Sequence, residues 1–213
     1  MKTRDKIVVA AIRLYNENGL SNVTSRHIAA DIKISHGNLE YHFPNKEALL
    51  LAIYEQMREE VSSYYTGSDE DIKHPIAYLH RILVRLEEFQ SKYKFFNLDV
   101  LEVSRNFEKV NALLKDTLLV RKNQMTELLQ KCVALGYLKP EPVAGYYNRL
   151  QHTIRILITF WNSQQVVLAN YELSEKGEMV RHIWDLITPH FTTSGLEEYR
   201  AVIEEFSKPE SIT

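Results

Sequence analysis

Residues 24–46 read Thr-Ser-Arg-His-Ile-Ala-Ala-Asp-Ile-Lys-Ile-Ser-His-Gly-Asn-Leu-Glu-Tyr-His-Phe-Pro-Asn-Lys. Thr24 and Ser35 are N-cap residue types, because a hydroxyl accepts from the otherwise unpaired N–H groups of a first helical turn. Each opens a short run: Ile28, Ala29 and Ala30 follow Thr24, and His36 to His42 follow Ser35. Ile32-Lys33-Ile34 is a tight connection between the runs, while Phe43-Pro44-Asn45 ends the second and caps the next helix. Two short helices joined by three or four residues have the dimensions of a helix-turn-helix. Ile28, Ala29, Ile34 and Leu39 are small or apolar where such helices must meet. The second helix is nearly free of charge and carries Ser35, His36, Gly37, Asn38, Tyr41 and His42. These groups offer hydrogen bonds and ring contacts to base edges or phosphates. Gly37 lowers helix propensity by roughly 1 kcal/mol, a loss that close backbone approach to DNA would offset.

The flanks extend the same pattern. A first helix is expected from Thr3, as N-cap, to Asn18, with Gly19 as its stop. Ile7, Ala10, Ala11 and Leu14 form its buried stripe. Asn45 caps a long helix beginning Lys46-Glu47-Ala48-Leu49-Leu50. Further helical patterns cover about 75–92, 95–104, 106–135, 144–169, 174–188 and 196–206, with Pro189 as a stop. The expected fold is all-α: a helix-turn-helix domain over 1–48, a helical domain over 49–206 and a frayed tail over 207–213.

Around these residues the chain resembles the tetracycline-repressor (TetR) family of transcriptional regulators. The family pattern is a threonine-led helix, an Ile-Ala pair, a Gly-Val-Ser turn, then Gly-x-Leu-Tyr-x-His/Tyr-Phe and Asn-Lys-Glu-x-Leu. Thr24, Ile28, Ala29, Ser35, Gly37, Leu39, His42, Phe43, Asn45, Lys46, Glu47 and Leu49 match it, and the resemblance covers residues 3–57. It implies a DNA-binding set of Thr24, Ser25, Arg26, Lys33, Ser35, His36, Gly37, Asn38, Glu40, Tyr41, His42 and Lys46. Two positions depart. Lys33 replaces the turn glycine, so it either adopts a left-handed conformation at about 1 kcal/mol or more or adds a phosphate contact. Glu40 replaces a tyrosine, and either accepts from a cytosine amino group or points to solvent.

Composition fits this reading. Seven glycines and six prolines in 213 residues fall below the averages of about 7% and 5%, leaving little material for the turns of an all-β fold. A formal net charge of −2 excludes a protein coated in positive charge but not a local basic footprint. Residues 1–57 hold seven Lys or Arg against six Asp or Glu. The single cysteine, Cys132, excludes an internal disulfide framework and is expected to be an inert core thiol. No uncharged run is long and apolar enough to span a bilayer, so no membrane partner and a cytoplasmic location are expected.

The resemblance implies that the later helices hold an unknown small-molecule effector and form a homodimer on a near-palindromic DNA operator. Tyr93, Phe96, Asp99, Tyr147, Gln151 and Trp161 are the candidate effector contacts, the aromatics being equally suited to plain core. Asp99 and Glu102 share a helical face with Phe95 and either favour a cationic ligand or form a solvated edge. By family position, Ile158, Gln165, Ile183, Trp184 and Ile187 are candidates for the dimer interface. The large apolar members among them serve core equally well.

An enzyme is not expected. The chain has no Gly-x-Gly-x-x-Gly, phosphate loop, His-Glu-x-x-His or Gly-x-Ser-x-Gly motif. Asp71-x-x-His74 and Glu178-x-x-x-His182 are isolated pairs, short of the paired Glu-x-x-His motifs and further glutamates of a bundle di-iron site. No cofactor and no metal are implied. The competing reading is a helical small-molecule-binding or interaction protein whose DNA motif is degenerate.

Overall fold

The computed structural model describes residues 1–68, 71, 73–167 and 175–206. The expected tail over 207–213 and the expected break around 170–173 lie outside these residues. The described helices are α1 (Thr3–Asn18), α2 (Ser25–Asp31), α3 (His36–His42), α4 (Lys46–Tyr64), α5 (Pro75–Lys92) and α6 (Lys94–Leu98). They continue with α7 (Val100–Asn106), α8 (Glu108–Ala134), α9 (Tyr146–Val167), α10 (Glu178–Ile187) and α11 (Thr193–Phe206). A 3-10 turn covers Thr188–His190, where proline was expected to stop α10. The sole extended pairing among the described residues is an isolated bridge between Leu138 and Phe191.

The chain forms two compact units. The first comprises Met1–Ser63 with Phe89–Leu118, and the second Tyr64–Glu88 with Leu119 onward. In the first, α1 turns Ile7, Ala10, Ala11 and Tyr15 inward. They meet Ile28 and Leu39 of α2 and α3 and Leu49, Leu50 and Ile53 of α4 in one apolar cluster. Tyr93, Phe95, Phe96, Val103 and Val110 complete that cluster. Lys2, rather than Thr3, is the N-cap of α1, and the Lys2 N–H donates to the Asp5 carboxylate at 3.2 Å.

The expected single helix over 95–104 is broken at Asp99 into α6 and α7. The physical reason is a distant partner: the Leu20 N–H donates to Asp99 Oδ2 at 2.8 Å. The break before α6 is held in the same way, because Asn16 donates to the Lys92 carbonyl and accepts from the Phe95 N–H, both at 2.9 Å.

The second unit packs Ile76, Leu79 and Leu83 of α5, Leu129 and Cys132 of α8, and Met179, Ile183, Trp184 and Ile187 of α10 into another cluster. Cys132 is buried, and burial pushes its thiol up to about 12, so thiolate is scarce at neutral pH. Thr192 precedes α11 and caps it, its hydroxyl accepting from the Gly195 N–H at 3.1 Å. A β-carbon at Gly195 would run into the Tyr137 carbonyl, so this close approach requires glycine.

Candidate nucleic-acid interface

Hydrogen bonding within the sequence sets the geometry of α2 and α3. Thr24 Oγ1 accepts from the His27 N–H at 3.3 Å, and His27 Nδ1 accepts in return from the Thr24 N–H at 3.4 Å. This is a reciprocal cap with histidine in the role usually taken by a glutamate. Ser35 Oγ accepts from the Asn38 N–H at 3.1 Å, and Asn45 Oδ1 from the Ala48 N–H at 2.8 Å. The capping hydroxyls use a lone pair, which leaves each O–H proton available to a phosphate.

Between the helices, Lys33 has φ 57°, the one positive φ of a non-glycine residue among the described residues. Its N–H and that of Ile34 donate to the Ala30 and Ala29 carbonyls at 3.2 and 3.0 Å. The turn therefore takes the left-handed geometry expected for it, with a lysine side chain in the strained position.

Ile28, Ala29, Leu39 and Phe43 are buried, so α2 and α3 share one apolar side and leave the other free. At about 100° per residue, Gly37 lies opposite Leu39, with Glu40 and Tyr41 flanking it. A β-carbon at Gly37 would meet nothing within 4 Å, and Tyr41 is 85% exposed. His36 Nδ1 lies 3.6 Å from Glu40 Oε2, one turn along the same helix. Thr24, Arg26, Lys33, Ser35, Gly37, Asn38, Glu40 and Tyr41 are exposed, while Ser25, His36 and His42 are half-buried. These expected DNA-binding residues thus sit on α2, α3 and the two segments that precede them.

Lys46 differs from that group. Its Nζ donates to the Leu20 carbonyl and lies 5.7 Å from the centre of the Tyr15 ring. Burial holds its pKa below the usual lysine value, against the pull of Glu102 and Asp99. Lys46 therefore also holds the turn after α1. The motif match also did not single out Arg4, whose guanidinium rests 5.1 Å from the Phe43 ring, just after α3. An arginine within the basic start of the chain was the available sign.

The candidate effector contacts divide between the two units. Tyr93, Phe96 and Asp99 belong to the first unit. Tyr93 is fully buried, donates to Glu60 at 2.9 Å and accepts from Gln56 at 3.0 Å. Phe96 stacks on Tyr54 at 5.1 Å. Asp99 is bonded to Leu20, and Glu102 accepts from Ser21 Oγ at 2.5 Å. Burial raises the Asp99 carboxyl above its ordinary value, the Leu20 N–H opposing it. The two acids therefore pin the turn after α1.

Tyr147 and Gln151, by contrast, line one cavity of about 360 Å³ together with Thr126, Val133 and Glu141. Gln151 donates to Thr126 Oγ1 at 3.1 Å, and Tyr147 to the Lys139 carbonyl at 2.6 Å. Trp161 stands edge-on to His182 instead, with ring centroids 5.1 Å apart.

Three of the five interface candidates are core. Ile183, Trp184 and Ile187 are at most 2% exposed within the single chain, so their helical stripe is spent on the second unit's own cluster. Ile158 is half-buried and Gln165 exposed on α9. Alongside them Ile156, Phe160, Val166 and Val167 are exposed large apolar side chains. Among the described residues no group of three or more His, Cys, Asp or Glu is placed to hold a metal ion, and no helix is long and apolar enough to cross a membrane. His74 bonds Glu198 at 3.2 Å, and His182 lies 2.8 Å from the Glu178 carbonyl.

Comparison with known proteins agrees with this geometry. Residues 7–53 match the family described as bacterial regulatory proteins, tetR family, and residues 56–199 match TetR, a bacterial transcriptional repressor family. The HTH-type transcriptional regulator UidR of Escherichia coli K12 is 25% identical over 148 residues, which span 70% of this chain and 75% of UidR. A TetR-family transcriptional regulator from Marinobacter aquaeolei VT8 superposes with TM-score 0.82 at 24% identity, covering 98% of this chain and all of that one. A transcriptional regulator from Saccharomonospora viridis, solved in complex with choline, superposes with TM-score 0.68 at 22% identity over 88% of this chain and 96% of its own. A capped helix pair with a free polar face, inside a chain matched almost end to end by these signatures, has one consistent assignment: this chain belongs to the TetR family and is a DNA-binding transcriptional regulator.

Proposed function

We propose that the protein is a homodimeric repressor that leaves its operator when a small molecule binds. The observation that carries this reading is the free face of α3, centred on Gly37 and presented by the Thr24 and Ser35 caps. Arg26, Lys33 and Arg4 supply phosphate contacts around it, which fix register without reading sequence. Ser25, Asn38, Glu40 and Tyr41 meet base edges, and Thr24, Ser35, His36 and His42 complete the contact set. Two such short helices reach successive major grooves when a two-fold axis sets them one helical turn apart, which makes the operator near-palindromic.

The exposed apolar side chains on α9 support pairing. Ile156 and Phe160 lie one helical turn apart, and Val167 extends the same side. Ile158 and Gln165 lie beside them. The cavity holding Tyr147 and Gln151 is the effector site of this reading, and the choline-bound relative supports a small organic ligand. Such a ligand moves the dimer off DNA only as far as it prefers the released form.

The test is Phe160→Asp. Charge on that stripe should convert the dimer to monomer in sedimentation velocity. Loss of the tethered second head should then reduce operator affinity at least about 100-fold, with weak nonspecific binding retained. A wild-type protein that sediments as a monomer while holding its operator overturns the dimer.

A further inference from the structure

The free face of α3 carries one formal charge, and it is negative. Glu40 stands beside Gly37 on the exposed side of the helix, its side chain 53% exposed, where its flank is open and Tyr41 is the other neighbour. This inference rests on the reading that α3 enters the major groove by this face. A helix that does so takes Glu40 with it, into the field of two phosphate backbones. Stripping water from a carboxylate there is unfavourable unless a donor replaces it.

The major groove supplies donors from two bases, the N4 amino group of cytosine and the N6 amino group of adenine. They are not equivalent for a carboxylate. Adenine sets its N7 acceptor beside its amino group, so an anion meets attraction and repulsion together. Cytosine offers its amino group as its only hydrogen-bonding edge atom in that groove.

We propose that Glu40 is a base-reading residue of α3 and accepts a hydrogen bond from a cytosine N4 amino group in each half of the operator. His36 is the positioning residue. Its Nδ1 lies 3.6 Å from Glu40 Oε2 on the preceding turn, close enough to restrict the rotamers of the carboxylate. The pair turns a charge that repels DNA in general into one tolerated at a particular base pair, so Glu40 lowers nonspecific affinity while raising specificity.

The experiment is selection of bound duplexes from a random DNA pool by the full-length wild-type protein, Glu40→Ala and Glu40→Gln. Both variants change an exposed side chain, and circular dichroism checks their folding. The wild type should fix one C·G pair per half-site, whose replacement lowers affinity roughly ten- to hundredfold. Glu40→Ala should lose preference at that pair alone and keep the rest of the consensus. Glu40→Gln should shift the same position toward adenine, because a carboxamide pairs with both N6 and N7. An unchanged consensus in Glu40→Ala, with affinity raised evenly across sequences, would mean that the carboxylate only repels phosphate, and the proposal fails. A wild-type protein that enriches no sequence overturns operator reading itself, a failure distinct from the first.

Discussion

The two compact units differ in where a polar group matters most. In the first, polar side chains stand at helix ends and joints: Thr24, Ser35 and Asn45 cap helices, and Asn16, Asp99 and Glu102 pin the segments between them. In the second, a polar pair lies within the aromatic core, where the Trp184 indole N–H donates to His80 Nδ1 at 3.1 Å. Trp184 is also flanked by Tyr199 and Phe191, with ring centroids 5.0 and 6.1 Å away. The difference separates two tasks. A reading surface needs helices whose ends are set by local bonds, leaving the outer face free for DNA. A unit without that duty can bury its largest rings and build stability from area.

The strongest way to break this comparison is Trp184→Ala. Removing a fully buried indole should cost the second unit about 3–5 kcal/mol and leave His80 without its donor. Both tryptophans of the chain, Trp161 and Trp184, lie in this unit. Trp161 emission therefore still reports it in the variant, while far-ultraviolet circular dichroism reports both units. The fluorescence transition should fall to lower denaturant while part of the helical signal persists to a later one. Two signals that fall together would show that the units unfold as one block, and the comparison would fail.

A smaller effect concerns protons. Burial holds the His80 pKa below the usual histidine value, and the ring stands edge-on to Phe206 at 4.6 Å. The unfolded chain thus takes up this proton at higher pH than the folded one does. Stability is full above the ordinary histidine pKa and is lost as pH falls from there through the depressed value. Denaturation midpoints followed by tryptophan emission should drop between about pH 7.5 and 5.5. His80→Gln, which can still accept from Trp184, should flatten most of that slope. His190, also depressed by burial and by Lys139, supplies the remainder. An unchanged slope in His80→Gln would remove His80 as the source.

The reading surface was legible in the residues to a degree that the rest was not. Capping at Thr24, Ser35 and Asn45 depends on groups three residues apart, so the local sequence contains the whole interaction. The left-handed Lys33 was one of two readings that the resemblance offered, because the family has glycine at that turn. The break at Asp99 depends on the Leu20 N–H, 79 positions away, and nothing near residue 99 announces it. Lys46 was legible by its motif, but the Leu20 carbonyl that it bonds is brought close only by the fold. Ile183, Trp184 and Ile187 show a further limit. A helical stripe says that a face is covered and is silent on whether the cover is the chain itself or a partner.

Lys33→Gly gives the smallest change and tests the reading surface alone. A left-handed lysine costs about 1–2 kcal/mol, while glycine in the unfolded chain gives back part of that through its larger entropy. The net gain should be about 1 kcal/mol or less, read as a higher midpoint for the helix-turn-helix with the tryptophan transition unmoved. The same substitution removes an exposed cation beside α3. If Lys33 lies against a phosphate, the slope of log affinity with log salt should decrease in magnitude by about one, with base preferences unchanged. A more stable protein with an unaltered salt slope would assign Lys33 to the turn alone. A less stable one would mean that the lysine side chain holds the turn by contacts that outweigh its strain.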